Sequence, residues 1–338
     1  MTTIRLGILS ELLGGNSSLD PYIEPFRRVE GPLFARGVAL VRHDPDLILA
    51  DVPQIEEMDA PCPVILFDKS DGGMFWWQFA SNGGKGRSWL KARRVVAVMK
   101  LSRYPRLDQY NGTFAEDAYH IGQIYAAANG DLAPVPVEPT VVLGEKDLNK
   151  VDIGYGFWAF ACCDQLPDYQ LNGGADKDLD VFCAMSMGYA SPGVTYHREL
   201  AMKTLERLTH LRTALVRGRG LAQAEYMNVM RRARICVSPW GWGETTLRDY
   251  EAMFAGCVLI KPRTDFIESW PVVDERHYVP CAVDFADLPE KIDHVLAHWD
   301  DYTPMRQRNR DRLLALRRPE ALADRLAGII RRRVEALE

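Results

Sequence analysis

The chain has 338 residues, 47% of them hydrophobic and 26% charged, with a formal net charge of -5 at pH 7. This composition supplies buried cores for the two domains expected at roughly 100–200 residues each, and it exerts no overall electrostatic pull on nucleic acid or anionic lipid. Seven cysteines without a C-x-x-C spacing, no apolar run of membrane-spanning length and no basic start of a signal peptide argue against a disulfide framework, a zinc site and a membrane protein, and point to the reducing cytoplasm.

In chain order, residues 4–9, 38–42, 47–52, 64–67 and 95–99 are short apolar runs bounded by turn residues, which predicts strands of a buried parallel sheet. Helices are expected at 25–34 and 115–128. The segment Asp71-Gly72-Gly73-Met74-Phe75-Trp76-Trp77 reads as a functional loop, because glycine lets the backbone come close to a ligand. The pattern sharpens from Leu179 onward. Strands are predicted at 179–187, 212–216, 235–238, 257–260 and 277–283. Helices are predicted at 197–208, 223–233, 245–255, 288–299, 304–316 and 320–337, with Gly256 as a left-handed cap. Strand–helix alternation at this spacing means βαβ units. The fold class expected is α/β, with two Rossmann-like doubly wound domains at 1–165 and 166–303, and basic helices at 304–338 packing back on them.

In open parallel sheets ligands bind beyond the carboxyl ends of the strands. The run Ser238-Pro239-Trp240-Gly241-Trp242-Gly243-Glu244 leads into the helix carrying Arg248 and Glu251. Gly241 and Gly243 leave backbone N–H groups at a helix start, where a diphosphate is favoured. Glu244, Arg248 and Glu251 share one helix face, and a carboxylate there suits a ribose diol. A capped surface helix with internal ion pairs would carry the same pattern.

The segment from Glu251 to Ile260 resembles the E-A-x-x-x-G-x-x-x-I signature of GT-B glycosyltransferases, of the group 1 and exostosin-like kind. The resemblance covers residues 180–300 and implies two Rossmann-like domains facing a cleft, with the donor on the second. It implies a nucleotide-sugar donor, a glycan, lipid-linked or small-molecule acceptor, no cofactor and metal-independent transfer. Glu251 corresponds to the second glutamate of the E-x7-E pattern. The first falls at Gly243, with Glu244 one place later, so retention and inversion both stay open. Arg198 and Lys203 resemble the basic pair of the first helix of the donor domain, and Arg217 follows one strand and Lys261 ends another where they could meet a diphosphate.

For the acceptor hydroxyl a base is needed if the reaction inverts. Glu11 and Asp71 are candidates and His120 a weaker one, with Glu244 the catalytic candidate on the donor side. Phe75, Trp76 and Trp77 could stack on sugar rings. Asp44-Pro45-Asp46 precedes its strand rather than following it, and the histidines are scattered, so no metal is expected. Ten arginines against five acids between 303 and 338 allow either a solvated helical face or peripheral docking at the inner face of the membrane. Nucleic acid is not expected as a partner. Two further classes fit the same scaffold: a nucleotide-sugar epimerase or hydrolase, and a non-catalytic nucleotide-sugar-binding subunit.

Overall fold

The computed structural model describes residues 3–9, 20–51, 62–68, 72–73, 75, 89–111, 141–156, 159, 177–188, 192–218, 220–270 and 274–337. Glu11, Asp71, Trp76, Trp77, His120 and the helix expected at 115–128 lie outside them.

The first half runs β1 (Ile4–Ile8), α1 (Asp20–Arg28), α2 (Glu30–Ala35), β2 (Val38–Val41), β3 (Leu47–Asp51), β4 (Val64–Asp68), β5 (Val95–Lys100), β6 (Ser102–Arg103), α3 (Leu107–Tyr110), α4 (Glu145–Leu148) and β7 (Val151–Ile153). Six of its strands form one sheet in the order β2-β1-β3-β4-β5-β7, every pair parallel. The helix expected over 25–34 is divided at Val29, which leaves helical geometry with φ -110 and ψ 18. Pro32 has no N–H to offer the Arg28 carbonyl, so the chain restarts a first turn, where proline is tolerated. The edge strand β7 is missing from the sequence reading because three residues carry no period.

The second half runs β8 (Leu179–Met185), α5 (Pro192–Glu206), β9 (Thr213–Arg217), α6 (Gln223–Arg232), β10 (Ala233–Val237), α7 (Leu247–Phe254), β11 (Val258–Pro262), β12 (Glu268–Ser269), β13 (Val279–Cys281), α8 (Leu288–Ala297), α9 (Thr303–Leu316) and α10 (Pro319–Glu335). Its sheet has the order β13-β11-β10-β8-β9, again parallel throughout. Gly256 follows α7 at φ +67, the left-handed conformation that ends a helix at no steric cost to glycine. In both sheets the strand order reverses beside the first strand, at β1/β3 and at β8/β10, and a crevice opens at such a reversal.

Strand side chains alternate between faces. Val181, Cys183 and Met185 pack with α5 and α8 into one core, whereas Phe182 and Ala184 join a second. That second core is continuous across the molecule. It takes in Leu6, Ile65 and Met99 of the first sheet, Cys236 and Leu259 of the second, and Leu313, Leu326 and Ile330 of α9 and α10. The last helix packs on α1 and α2, with Arg36 paired to Asp324 at 2.5 Å and Arg333 donating to Asp152 at 2.6 Å. Among the described residues no helix is long and apolar enough to cross a membrane.

The halves also meet directly. β6 pairs antiparallel with β12, setting Arg103 against Glu268 at 2.5 Å, and the Gln109 amide donates to the Phe266 carbonyl at 3.0 Å.

Candidate functional site

A cavity of about 420 Å³ lies at the strand-order reversal of the second sheet. The carboxyl end of β8 contributes Ala184, Met185 and Ser186, and the end of β9 contributes Val216 and Gly218. Gly220 and Leu221 close the loop beyond, α6 presents Gln223 and Tyr226, and the start of α7 presents Thr246, Leu247, Arg248 and Glu251. Local chemistry explains why α7 begins here. Thr246 has extended backbone angles, and Asp249 accepts from both its N–H and its hydroxyl at 3.1 Å. This is the reciprocal arrangement that marks a helix start.

Glu251 is held by two neighbours on α6, which sequence inspection does not single out: the Tyr226 hydroxyl donates to Oε2 at 2.8 Å and the Gln223 amide to Oε1 at 3.2 Å. Their spacing of i, i+3, which sets them on one face of the helix, is the signal that could have found them. Burial raises the Glu251 carboxyl above its ordinary value, while Tyr226, Gln223 and Arg248 oppose that shift by favouring the charged form. Arg248 lies in the first turn of α7, and its Nε and Nη1 are buried without a hydrogen-bond partner among the described residues. Buried N–H donors cost free energy unless a partner meets them. The helix start adds its own positive end, so this corner of the cavity is built for negative charge.

Other residues singled out in the sequence stand elsewhere. Lys261 is 1% exposed, and its ammonium meets the Asp249 carboxylate and, at 2.9 Å, the Glu244 carbonyl. It does not line the cavity. Its place is a buried knot under α7, where Asp249 also accepts from the Ser238 hydroxyl at 2.6 Å. Arg198 is buried and braces two strand-end loops, donating to the Ser186 carbonyl at 2.8 Å and the Trp240 carbonyl at 3.2 Å. Arg217 points back to Glu199 and Glu206 on α5, at 3.2 and 2.9 Å. Lys203 is exposed near the end of α5, outside the cavity lining.

The glycine-rich turn before α7 serves close packing. A Cβ on Gly241 would lie 2.8 Å from Nη2 of Arg198, and the Gly241 N–H closes the turn on the Gly243 carbonyl at 3.0 Å. Glu244 turns toward the first half of the chain. It is fully buried, its Oε1 accepts from the Tyr104 hydroxyl at 2.7 Å, and Oε2 has no partner among the described residues. Gly72 and Gly73 pack against this point; a Cβ on Gly73 would fall 2.9 Å from the Tyr104 ring. Phe75 is buried, stacked on Tyr110 with centroids 5.1 Å apart. It is a core residue, not an open platform. Asp44 and Asp46 lie at the opposite, amino end of β3, and Asp46 is engaged by Arg5 at 2.8 Å. Among the described residues no three His, Cys, Asp or Glu side chains group as metal ligands.

Residues 193–328, which hold α5 through most of α10 and the whole cavity-bearing α7, match the glycosyl transferase-like family. No match is found among curated proteins. Among solved structures the chain is similar to a sucrose-phosphate synthase from Thermosynechococcus elongatus, with 14% identity over 100% of both chains and a TM-score of 0.48. It is similar to a DNA-modifying β-glucosyltransferase, with 12% identity over 97% of this chain and 100% of that one and a TM-score of 0.46. It is also similar to a UDP-N-acetylglucosamine 2-epimerase from Listeria monocytogenes, with 10% identity over 100% and 98% and a TM-score of 0.42. Four of the five strands of the second sheet, β9, β10, β11 and β13, thus lie within the region that matches the glycosyl transferase-like family.

Proposed function

We propose that the cavity binds a nucleotide-sugar donor and that the sugar passes to an acceptor carried by the first half of the chain. The observation that carries this reading is Arg248, a cation that lines the cavity at the strand-order reversal one turn from a buried carboxylate, with Nε and Nη1 buried and without a partner among the described residues. The diphosphate would sit against Arg248 and the start of α7, and the ribose hydroxyls would donate to Glu251, each of whose oxygens retains acceptor capacity. In transfer the bond from the anomeric carbon to the diphosphate oxygen breaks as the acceptor oxygen bonds to that carbon. Negative charge then grows on the leaving diphosphate, where Arg248 and the helix start stabilise it. The acceptor proton goes to a base, for which Glu11 and Asp71 remain the candidates. In this reading residues 1–165 hold the acceptor and residues 166–303 the donor. Arg198 and Lys261 serve by holding the cavity walls in place. Docking of the exposed Arg308, Arg318 and Arg332 on anionic lipid is a separate proposal.

A second reading, nucleotide-sugar binding without transfer, is favoured by one observation: Glu244 is committed to Tyr104 and does not line the cavity. The test is a thermal-shift screen of UDP, GDP, dTDP, ADP and CMP with their sugar conjugates, on the natural protein and on Arg248→Ala. A ligand at ~100 times its dissociation constant stabilises the fold by about 2.7 kcal/mol. One responder whose effect vanishes in Arg248→Ala supports the donor site, and silence across the panel overturns it. Product analysis with and without acceptor then separates transfer from hydrolysis, epimerisation and binding alone.

A further inference from the structure

Four large hydrophobic side chains are exposed among the described residues: Phe34, Val142, Leu337 and Trp242. Trp242 alone among them stands beyond the carboxyl ends of the second sheet, in the turn between β10 and α7. Trp242 is 42% exposed, although its neighbours Trp240, Gly241, Gly243 and Glu244 are all buried.

The turn that presents it is fixed from both sides. Before it, Trp240 is sunk in the core, stacked on His197 with centroids 5.4 Å apart and set edge-on to Phe266 at 5.6 Å, with its carbonyl gripped by Arg198. After it, the Glu244 side chain is held by Tyr104 and the Glu244 carbonyl by Lys261. Across it runs the Gly241 to Gly243 hydrogen bond. An indole on a mobile loop can fold down out of water, whereas here the backbone on either side is anchored. The turn leads within four residues to Thr246, which lines the cavity, and on its other side the Trp242 carbonyl would lie 3.4 Å from a Cβ on Gly72 of the first half. The turn that carries Trp242 therefore lies between the proposed donor cavity and the half assigned to the acceptor.

We propose that Trp242 is a stacking platform for a pyranose ring at this junction, an inference that rests on the donor-cavity reading above. A flat, polarisable indole offers a pyranose an apolar surface for its axial C–H groups, while the ring hydroxyls stay in water or reach polar neighbours. Because the backbone on both sides of the indole is anchored, little conformational freedom remains to be lost on binding. Such a contact recognises the shape of a sugar ring and carries no charge selectivity, which leaves the diphosphate to Arg248. The ring is either the one being transferred or the terminal ring of the acceptor.

The test compares the natural protein with Trp242→Ala and Trp242→Phe by titration calorimetry. The donor probes are UDP-glucose, GDP-mannose and dTDP-glucose, each against its free diphosphate. The acceptor probes are maltose and cellobiose, added with the responding diphosphate present. Trp242→Ala should weaken the ring-bearing ligand by about tenfold, Trp242→Phe should recover most of that loss, and the bare diphosphate should bind all three proteins alike. Loss confined to the sugar nucleotides assigns the platform to the transferred ring, and loss confined to the disaccharides assigns it to the acceptor. Unchanged affinity of Trp242→Ala in both arms, with the natural protein binding, overturns the platform and leaves the donor cavity standing. A natural protein that binds no diphosphate, no sugar nucleotide and no disaccharide overturns both.

Discussion

The Tyr104 hydroxyl donates a 2.7 Å hydrogen bond to Oε1 of Glu244 across 140 residues of sequence, tying the loop after β6 to the turn before α7. Tyr104 is fully buried, edge-on to Tyr110 with centroids 5.5 Å apart, and Glu244 is equally enclosed. The bond is the polar centre of a seam that also contains the β6–β12 pairing and the Gln109 contact with Phe266. The glutamate that sequence spacing offers for catalysis is, in the folded chain, a contact between halves.

Tyr104→Phe removes that bond with little change in volume and leaves the buried carboxyl without its side-chain donor. A group so stranded costs about 1–3 kcal/mol, and urea unfolding should show a loss of that size. The same substitution should raise the Glu244 pKa further, because Tyr104 is the largest influence now lowering it.

Lys261→Met separates the structural from the donor-binding role of this lysine. Removing one partner of a buried pair leaves Asp249 uncompensated, which typically costs about 3–5 kcal/mol. Denaturant unfolding should register that loss. A lysine acting on ligand alone would instead leave stability unchanged and weaken nucleotide binding.

Stability should depend on pH through two buried groups of opposite sense. Burial raises the Glu244 carboxyl, against Tyr104 and nearby backbone N–H groups that lower it. The fold therefore binds its proton more readily than the unfolded chain does. Its contribution is complete below the unfolded value of ~4.3 and is lost as the pH rises through the raised value. His197 is held down to about 3, mainly by burial. Its contribution is complete above the unfolded value of ~6.5 and is lost as the pH falls from there toward the folded value of about 3. Denaturation across a pH series should show a shallower decline above pH ~4.3 in Glu244→Gln, with the acid-side fall unchanged.

Because the core shared by α9 and α10 runs through both sheets, Ile330→Ala should weaken the whole molecule rather than its last helix. Ile330 is fully buried in that core, and such a truncation costs about 2–5 kcal/mol. Unfolding followed by intrinsic fluorescence and by circular dichroism should shift together as one transition. Separate transitions would show that the two sheets unfold independently.

Much of the architecture is readable in the chain itself. The strands at 4–8, 95–100, 233–237 and 258–262 announce themselves as β-branched runs between turn residues, and α7 is marked by its start, its apolar spacing and Gly256. These signals are local. Arg248 and Glu251 were legible as one helix face for the same reason, since three residues apart on a helix means adjacent in space. The cavity around them was legible only as a region, the carboxyl ends of the strands, because its other wall comes from α6.

What only the tertiary structure decided is how each charged side chain is used. Arg198, Arg217 and Lys261 all read as cations near strand ends. Folding commits the first to two backbone carbonyls, the second to Glu199 and Glu206, and the third to Asp249. It leaves Nε and Nη1 of Arg248 buried without a hydrogen-bond partner among the described residues. A buried charge takes whichever partner the packing brings within reach, and desolvation makes that choice binding. The strand and helix pattern is written residue by residue along the chain, whereas the pairing of Glu244 with Tyr104 and the exposure of Trp242 exist only once two distant segments have closed on each other.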